Sequence, residues 1–176
     1  MMQEPFLSRR LFLLLSGGVA GGAALVGCAS PDPNFVHEPL PAPSPPVKMQ
    51  RLLLWLPHSD EWLDGGNLAA TFVRALTPYG VVVESGRSAK LEVDRSADQK
   101  EIVDTFKPTY RLEVDIRDAR TSTQGSMSVT SFLVRAVLYR GAGRTPLERF
   151  HYGARSKQIP RFVDQVVEKL KASGYL

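Results

Sequence analysis

One cysteine and three histidines in 176 residues leave little material for thiol or metal chemistry. A disulfide needs a second cysteine, a zinc or iron–sulfur site needs several ligands, and His37, His58 and His151 stand far apart in the chain. Long apolar runs are scarce too. Leu11 to Val26 is sixteen residues without a charge, short of the roughly 20 residues of a membrane span, and Gly17, Gly18, Gly21 and Gly22 weaken it as a helix. Charge is neither strong nor concentrated: 22 lysines and arginines against 18 acids give a formal +4. Without a basic run, that balance argues against nucleic acid as a partner. It tolerates an anionic surface. No Gly-x-Ser-x-Gly elbow occurs, and Gly141-Ala142-Gly143 lacks the third glycine and following helix of a dinucleotide loop.

What is present near the N-terminus explains the lone cysteine. Arg9 and Arg10 form a basic end, the uncharged stretch follows, and the small residue Gly27 stands immediately before Cys28. That is the layout of a cleavable export signal. Leu25-Val26-Gly27-Cys28 resembles the lipobox of bacterial lipoproteins. The resemblance implies cleavage before Cys28, a diacylglycerol on its thiol and an acyl chain on its new amino group. Ser8-Arg9-Arg10-Leu11-Phe12-Leu13 is also similar to a twin-arginine signal, with Leu14 where a lysine often follows; an ordinary general secretory signal is the alternative reading of the arginine pair. Ala29-Ser30 follows the cysteine instead of the aspartate that marks inner-membrane retention in diderm lipoproteins. By that resemblance the anchor lies in the outer membrane and the domain faces the periplasm.

The chain divides into a signal peptide, residues 1–27, a lipidated tether, 28–50, and one domain, 51–176. The tether carries seven of the thirteen prolines (Pro31, Pro33, Pro39, Pro41, Pro43, Pro45 and Pro46). Proline fixes φ and removes an amide donor, so neither helix nor inner strand is expected there. In polyproline form such a tether would hold the domain up to about 60–70 Å from the bilayer.

Within the domain the hydrophobic period alternates between helix and strand. Leu52 to Leu56 is apolar at every position, as in a strand covered on both faces. Leu68, Ala69, Phe72, Val73 and Leu76 make one helical stripe, with Asn67 as the expected N-cap and Pro78 as the stop. A short strand, Val81 to Ser85, follows. Ser96 and Gln99 read as a capping box opening a second helix through Ile102, Val103 and Phe106. Tyr110, Leu112, Val114 and Ile116 alternate with charged residues, which predicts a half-buried strand; two more strands and a final helix from Pro160 to Leu170 complete the order β-α-β-α-β-β-β-α. This order predicts an α+β fold, a two-layer α/β sandwich on a mixed sheet. It is similar in kind to small domains of envelope lipoproteins that help assemble lipopolysaccharide, activate cell-wall synthases or serve transport and secretion machines.

Candidates for chemistry are few. His58-Ser59-Asp60 holds triad residue types, but three adjacent residues cannot converge on one atom. Asp60, Glu61 and Asp64 lack the alternating ligands and glycine of a calcium loop. His151 reads as a packed or rim histidine, Trp55 as core, and Trp62 as either a staple on the first helix or a contact residue. Phe132, Val134, Ala136 and Leu138 face the core, yet Val129, Leu133, Val137 and Tyr139 make the opposite face more apolar than a wet face should be. These four, with Trp62, are the candidate partner surface; the competing account has the second helix covering them. Taken together, the sequence predicts a lipid-anchored envelope protein, attached to a membrane and partnered by another envelope protein or polymer, non-enzymatic, without metal or cofactor. A lipid-anchored hydrolase is the alternative.

Overall fold

The computed structural model describes residues 32–42, 44–56, 65–87, 95–124, 127–155 and 158–176. Arg9, Arg10, Leu25, Val26, Gly27 and Cys28 lie outside the described residues, as do Trp62 and the 58–64 segment. Six strands form one sheet: β1 Phe35–Pro39, β2 Arg51–Leu56, β3 Val82–Arg87, β4 Tyr110–Gln124, β5 Met127–Arg140 and β6 Pro146–Arg155. Three helices accompany them: α1 Gly65–Leu76, α2 Arg95–Phe106 and α3 Ile159–Ala172. Among the described residues no helix is long and apolar enough to cross a membrane.

The sheet order is β1-β6-β5-β4-β2-β3. β2 pairs in parallel with β3 and β4, and the other pairings are antiparallel. The fold is therefore α+β on a mixed sheet, with the strand and helix order anticipated from residue 51 onward. A seamless apolar run suits β2 because it lies inside the sheet with both faces covered. Leu52, Leu54 and Leu56 join the main core with Leu68, Phe72 and Leu76 of α1 and Phe162, Val163, Val166 and Leu170 of α3. Leu53 faces the other way, onto Val103 and Phe106 of α2. Connectivity accounts for the split. From β2 the chain steps outward to β3, then steps back past β2 to β4, and crossovers of one hand that progress in opposite directions put their helices on opposite faces.

α2 meets its face closely. A Cβ placed on Gly86 would lie 2.7 Å from Trp55 ring carbons and 3.0 Å from Ile102 Cδ1, so glycine is what lets α2 and Trp55 sit on β3. Trp55 is only 4% exposed, in keeping with a core role. α1 starts at Gly65, ahead of the expected cap Asn67, and ends in a 3-10 turn, Thr77–Tyr79, closed by Gly80 at φ 71°.

The proline-rich segment corrects the expected tether. Residues 35–39 form edge strand β1 on β6, and the prolines confine it to that position. Residues 44–50 then strap across the end of the domain. The Tyr110 hydroxyl accepts from Val47 N at 2.9 Å and donates to Val47 O at 2.8 Å. Arg140 donates to Ser44 Oγ and Pro45 O, Met49 N donates to Tyr175 O, and Lys48 Nζ donates to Leu176 O. Asp32 is a further fixed point. Its carboxylate accepts from Asn34 N at 3.0 Å and from the Tyr152 hydroxyl at 3.2 Å, and pairs with Arg161 of α3 at 2.8 Å. The Asn34 amide, followed by Tyr152 and Arg161, holds the Asp32 carboxyl below its ordinary range, while burial and Asp32 push the Tyr152 phenol up. β1 is pinned further along by His37, which stacks on Phe150 and bonds Glu148 at 2.6 Å.

Candidate functional site

On β4, β5 and β6 the residues opposite the main core form rows across the sheet. Arg111 lies beside Tyr139; Glu113 beside Val137 and then Arg149; Asp115 beside Arg135 and then His151; Arg117 beside Leu133. Alternation along each strand places all of them on one face. α2 packs on β2 and β3 of this face, and among the described residues no helix lies over β5 or β6 on this side of the sheet. The two accounts weighed for Leu133 and Val137 therefore divide the face between them: the second helix covers its β2 margin, and β5 and β6 stay free of it.

Each expected surface residue has a definite place. Val137 is 7% exposed and Leu133 and Tyr139 are half-buried. Tyr139 owes part of its burial to the Arg111 guanidinium lying on its ring. Val129 lies in β5, and its side chain is outside the described residues.

Arg111 organises one end of it. Buried to 6% exposure, it bonds Glu113 through Nε at 3.0 Å, donates from its two terminal nitrogens to the carbonyls of Gly141 and Gly143 at 3.1 and 3.2 Å, and stacks on Tyr139 with its guanidinium carbon 4.7 Å from the ring centre. The Gly141-Ala142-Gly143 segment is thus a hairpin turn, with Gly141 at φ 48°, latched by an arginine from the neighbouring strand. Gln99, expected in a capping box, donates instead to Glu113 Oε1 at 2.9 Å and docks α2 on the sheet. Burial, and then the Glu113 charge, push the Tyr139 phenol up, against the opposing pull of Arg111, Arg135 and Arg149. The hydroxyl is therefore a neutral donor at neutral pH. A groove of about 580 Å³ runs between α2 and the β5–β6 turn, with Lys100, Arg144 and Asp104 on its rims and Arg111, Glu113 and Tyr139 as its floor.

Beyond this groove acids and cations are interleaved across the strands. Asp115 accepts from Arg117 Nε at 2.8 Å. Arg149 has only a long contact to Glu38, 3.6 Å, and Arg135 makes no hydrogen bond or ion pair among the described residues. The Nε atoms of both Arg135 and Arg149 are buried without a partner. His151, expected to be packed or at a rim, is half-buried beside Arg135. Sequence reasoning ranked the apolar residues of this face and passed over its arginines; the available signal was that Arg111 and Arg117 on β4, and Arg149 and Arg155 on β6, lie an even number of positions apart and so share a face. Among the described residues no three His, Cys, Asp or Glu side chains gather as a metal-binding group.

No family model matches the chain, and no curated protein matches its sequence. Among solved structures it is similar to the PelC dodecamer from Paraburkholderia phytofirmans, at 12% identity in two crystal forms. One gives a TM-score of 0.52, covering 77% of this chain and 97% of that one, and the other 0.50, covering 80% and 98%. Lipoprotein GNA1162 from Neisseria meningitidis is matched at 18% identity and a TM-score of 0.40, over 70% of this chain and 99% of that one. At these identities the likeness to PelC concerns the fold: this chain carries an α+β unit that extends over nearly the whole of that protein.

Proposed function

We propose that the protein is a lipid-anchored envelope protein that acts, without catalysis, as a binding or assembly accessory to another envelope protein or polymer. The observation that carries this reading is the open, arginine-bearing face of β5 and β6, built from a Tyr139–Arg111–Glu113 frame and left uncovered by α2. That PelC was solved as a dodecamer supports an assembly role for the shared fold. In this reading residues 1–27, with Arg9 and Arg10, are the export signal, Leu25 to Gly27 guide cleavage, and Cys28 carries the lipid in an outer membrane, with the domain in the periplasm. Two or three acyl chains at about 0.8 kcal/mol per buried methylene would hold it there.

The turn held by Asp32 bears on how such an anchor works. Asp32 is four residue steps beyond Cys28, a reach of about 14 Å at full extension. The domain would ride against the bilayer, with the N-terminus of α3 nearest to it. The test is cross-linking from intact envelopes followed by affinity capture of the wild type and Cys28→Ala. A stable envelope partner captured with the wild type, and an unlipidated precursor with the variant, are the expected results. An unmodified Cys28 thiol in membrane-extracted protein, or a wild type that captures no partner and turns over an envelope substrate, would overturn the reading.

A further inference from the structure

We infer that the open face of β5 and β6 binds an extended carboxylate-bearing polymer, with Arg135 and Arg149 as the paired recognition residues. Arg135 sits opposite His151, and Arg149 opposite Val137. The two arginines are therefore diagonal neighbours on adjacent strands, with Cα atoms about 7–8 Å apart. Each has a buried Nε without a partner. With Nε closed off, the two terminal nitrogens are the edge of each guanidinium that can receive a carboxylate with two parallel hydrogen bonds.

Charge on the face points the same way. Glu113 is occupied by Arg111 and Gln99, Asp115 accepts from Arg117, and Glu38 pairs with Arg149 at 3.6 Å; among the described side chains of β1, β4, β5 and β6 on this face, these acids stand against the more numerous Arg111, Arg117, Arg120, Arg135, Arg149 and Arg155. Arg117, Arg120 and Arg155 extend the cationic line along the strands, and both Arg120 and Arg155 are exposed. From Tyr139 to Ser131 on β5 the face runs about 26 Å at 3.3 Å per residue, the length of several sugar units and far more than a single small anion needs. A bilayer fits poorly. Among the described residues of this sheet face the large exposed apolar side chains are Val36 and Val82, and they stand at its two opposite edge strands. A wall of planar guanidinium groups on a flat sheet suits a carboxylated polysaccharide lying across it.

This inference deepens the proposed binding role and rests on it. The test measures binding of polygalacturonate oligosaccharides of about ten sugars to the lipid-free domain by calorimetry. Dextran of matched length, inorganic polyphosphate and phosphatidylglycerol vesicles are the comparison probes. Polygalacturonate should bind, with affinity falling as salt rises, and Arg135→Gln with Arg149→Gln should weaken it by about tenfold or more. Arg161→Gln, on α3, should leave it unchanged. Arg135→Lys with Arg149→Lys, which keeps charge and stem, should retain part of the binding and serves if the glutamine pair does not fold. Four results overturn the inference: no binding of polygalacturonate, binding indifferent to both double variants, preferential binding of polyphosphate or vesicles, or self-association of the wild type that the glutamine pair abolishes, which would make the face an interface between copies. A protein partner lost with the same variants while polygalacturonate fails to bind would overturn the ligand and leave the binding role standing; loss of both would sink both.

Discussion

Replacing Arg111 with methionine keeps most of the stem and removes the cation that ties β4 to the β5–β6 turn. Three directed hydrogen bonds disappear, to Glu113, Gly141 and Gly143. Hydrogen bonds to charged groups contribute about 1.5–3 kcal/mol each when well buried, but water reaches two of these acceptors. The Glu113 side chain is 29% exposed and Gly143 is exposed. A discounted loss of about 2–3 kcal/mol follows, or on the order of 5–10 °C in Tm for a domain of this size. Urea unfolding should show a lower midpoint at an unchanged slope. Arg111→Lys should rescue little, because a point ammonium cannot span two turn carbonyls and a carboxylate while lying on a ring. A double-mutant cycle with Glu113→Gln should return a coupling of about 1 kcal/mol. A methionine variant within about 0.5 kcal/mol of wild type, or full rescue by lysine, would refute the view that Arg111 is a structural latch.

Gly86→Val should destabilise by about 1–3 kcal/mol in thermal melts, since its Cβ would enter the space of Trp55 and Ile102; an unchanged Tm would show that α2 is not seated there. Tyr110→Phe deletes both hydrogen bonds to Val47, costing about 1–2 kcal/mol, and should speed tryptic cleavage after Lys48 as the strap loosens; equal cleavage rates would separate the strap from Tyr110. The depressed Asp32 carboxyl stabilises the fold fully above its unfolded value of 3.8, a contribution lost as pH falls through its lower folded value. Asp32→Asn should therefore flatten the acid limb of stability. Raised phenols act in the opposite sense: Tyr152 and Tyr175 favour the fold below the unfolded value of 10.0, and that contribution fades as pH climbs beyond it. Stability that held constant from neutral pH to well past 10 would contradict this.

Much of the fold was legible from residue 51 onward because each element carries its own period. β2 reads as an inner strand, β4 alternates, and the α3 stripe Phe162, Val163, Val166, Val167 and Leu170 is buried as its spacing demands. β1 was hidden. Its five residues, Phe35 to Pro39, sit among prolines and show no alternation of their own, and they become a strand because the exposed edge of β6, Phe150 and the buried Glu148 give them partners.

Local sequence, then, determined the α+β class, the element order from residue 51 onward, the core stripes and the lipobox-like signal. These depend on interactions between residues close in the chain, or on short motifs read in extended form. Tertiary structure alone decided which strands are neighbours, and with that which face α2 covers. It also decided that Arg111 would be a buried latch while Arg135 and Arg149, of the same residue type, would lie on an open face with Nε atoms that meet no acceptor. Whether an arginine finds a carbonyl, a carboxylate or nothing depends on the register of strands some twenty to forty residues away, and no local pattern encodes that register.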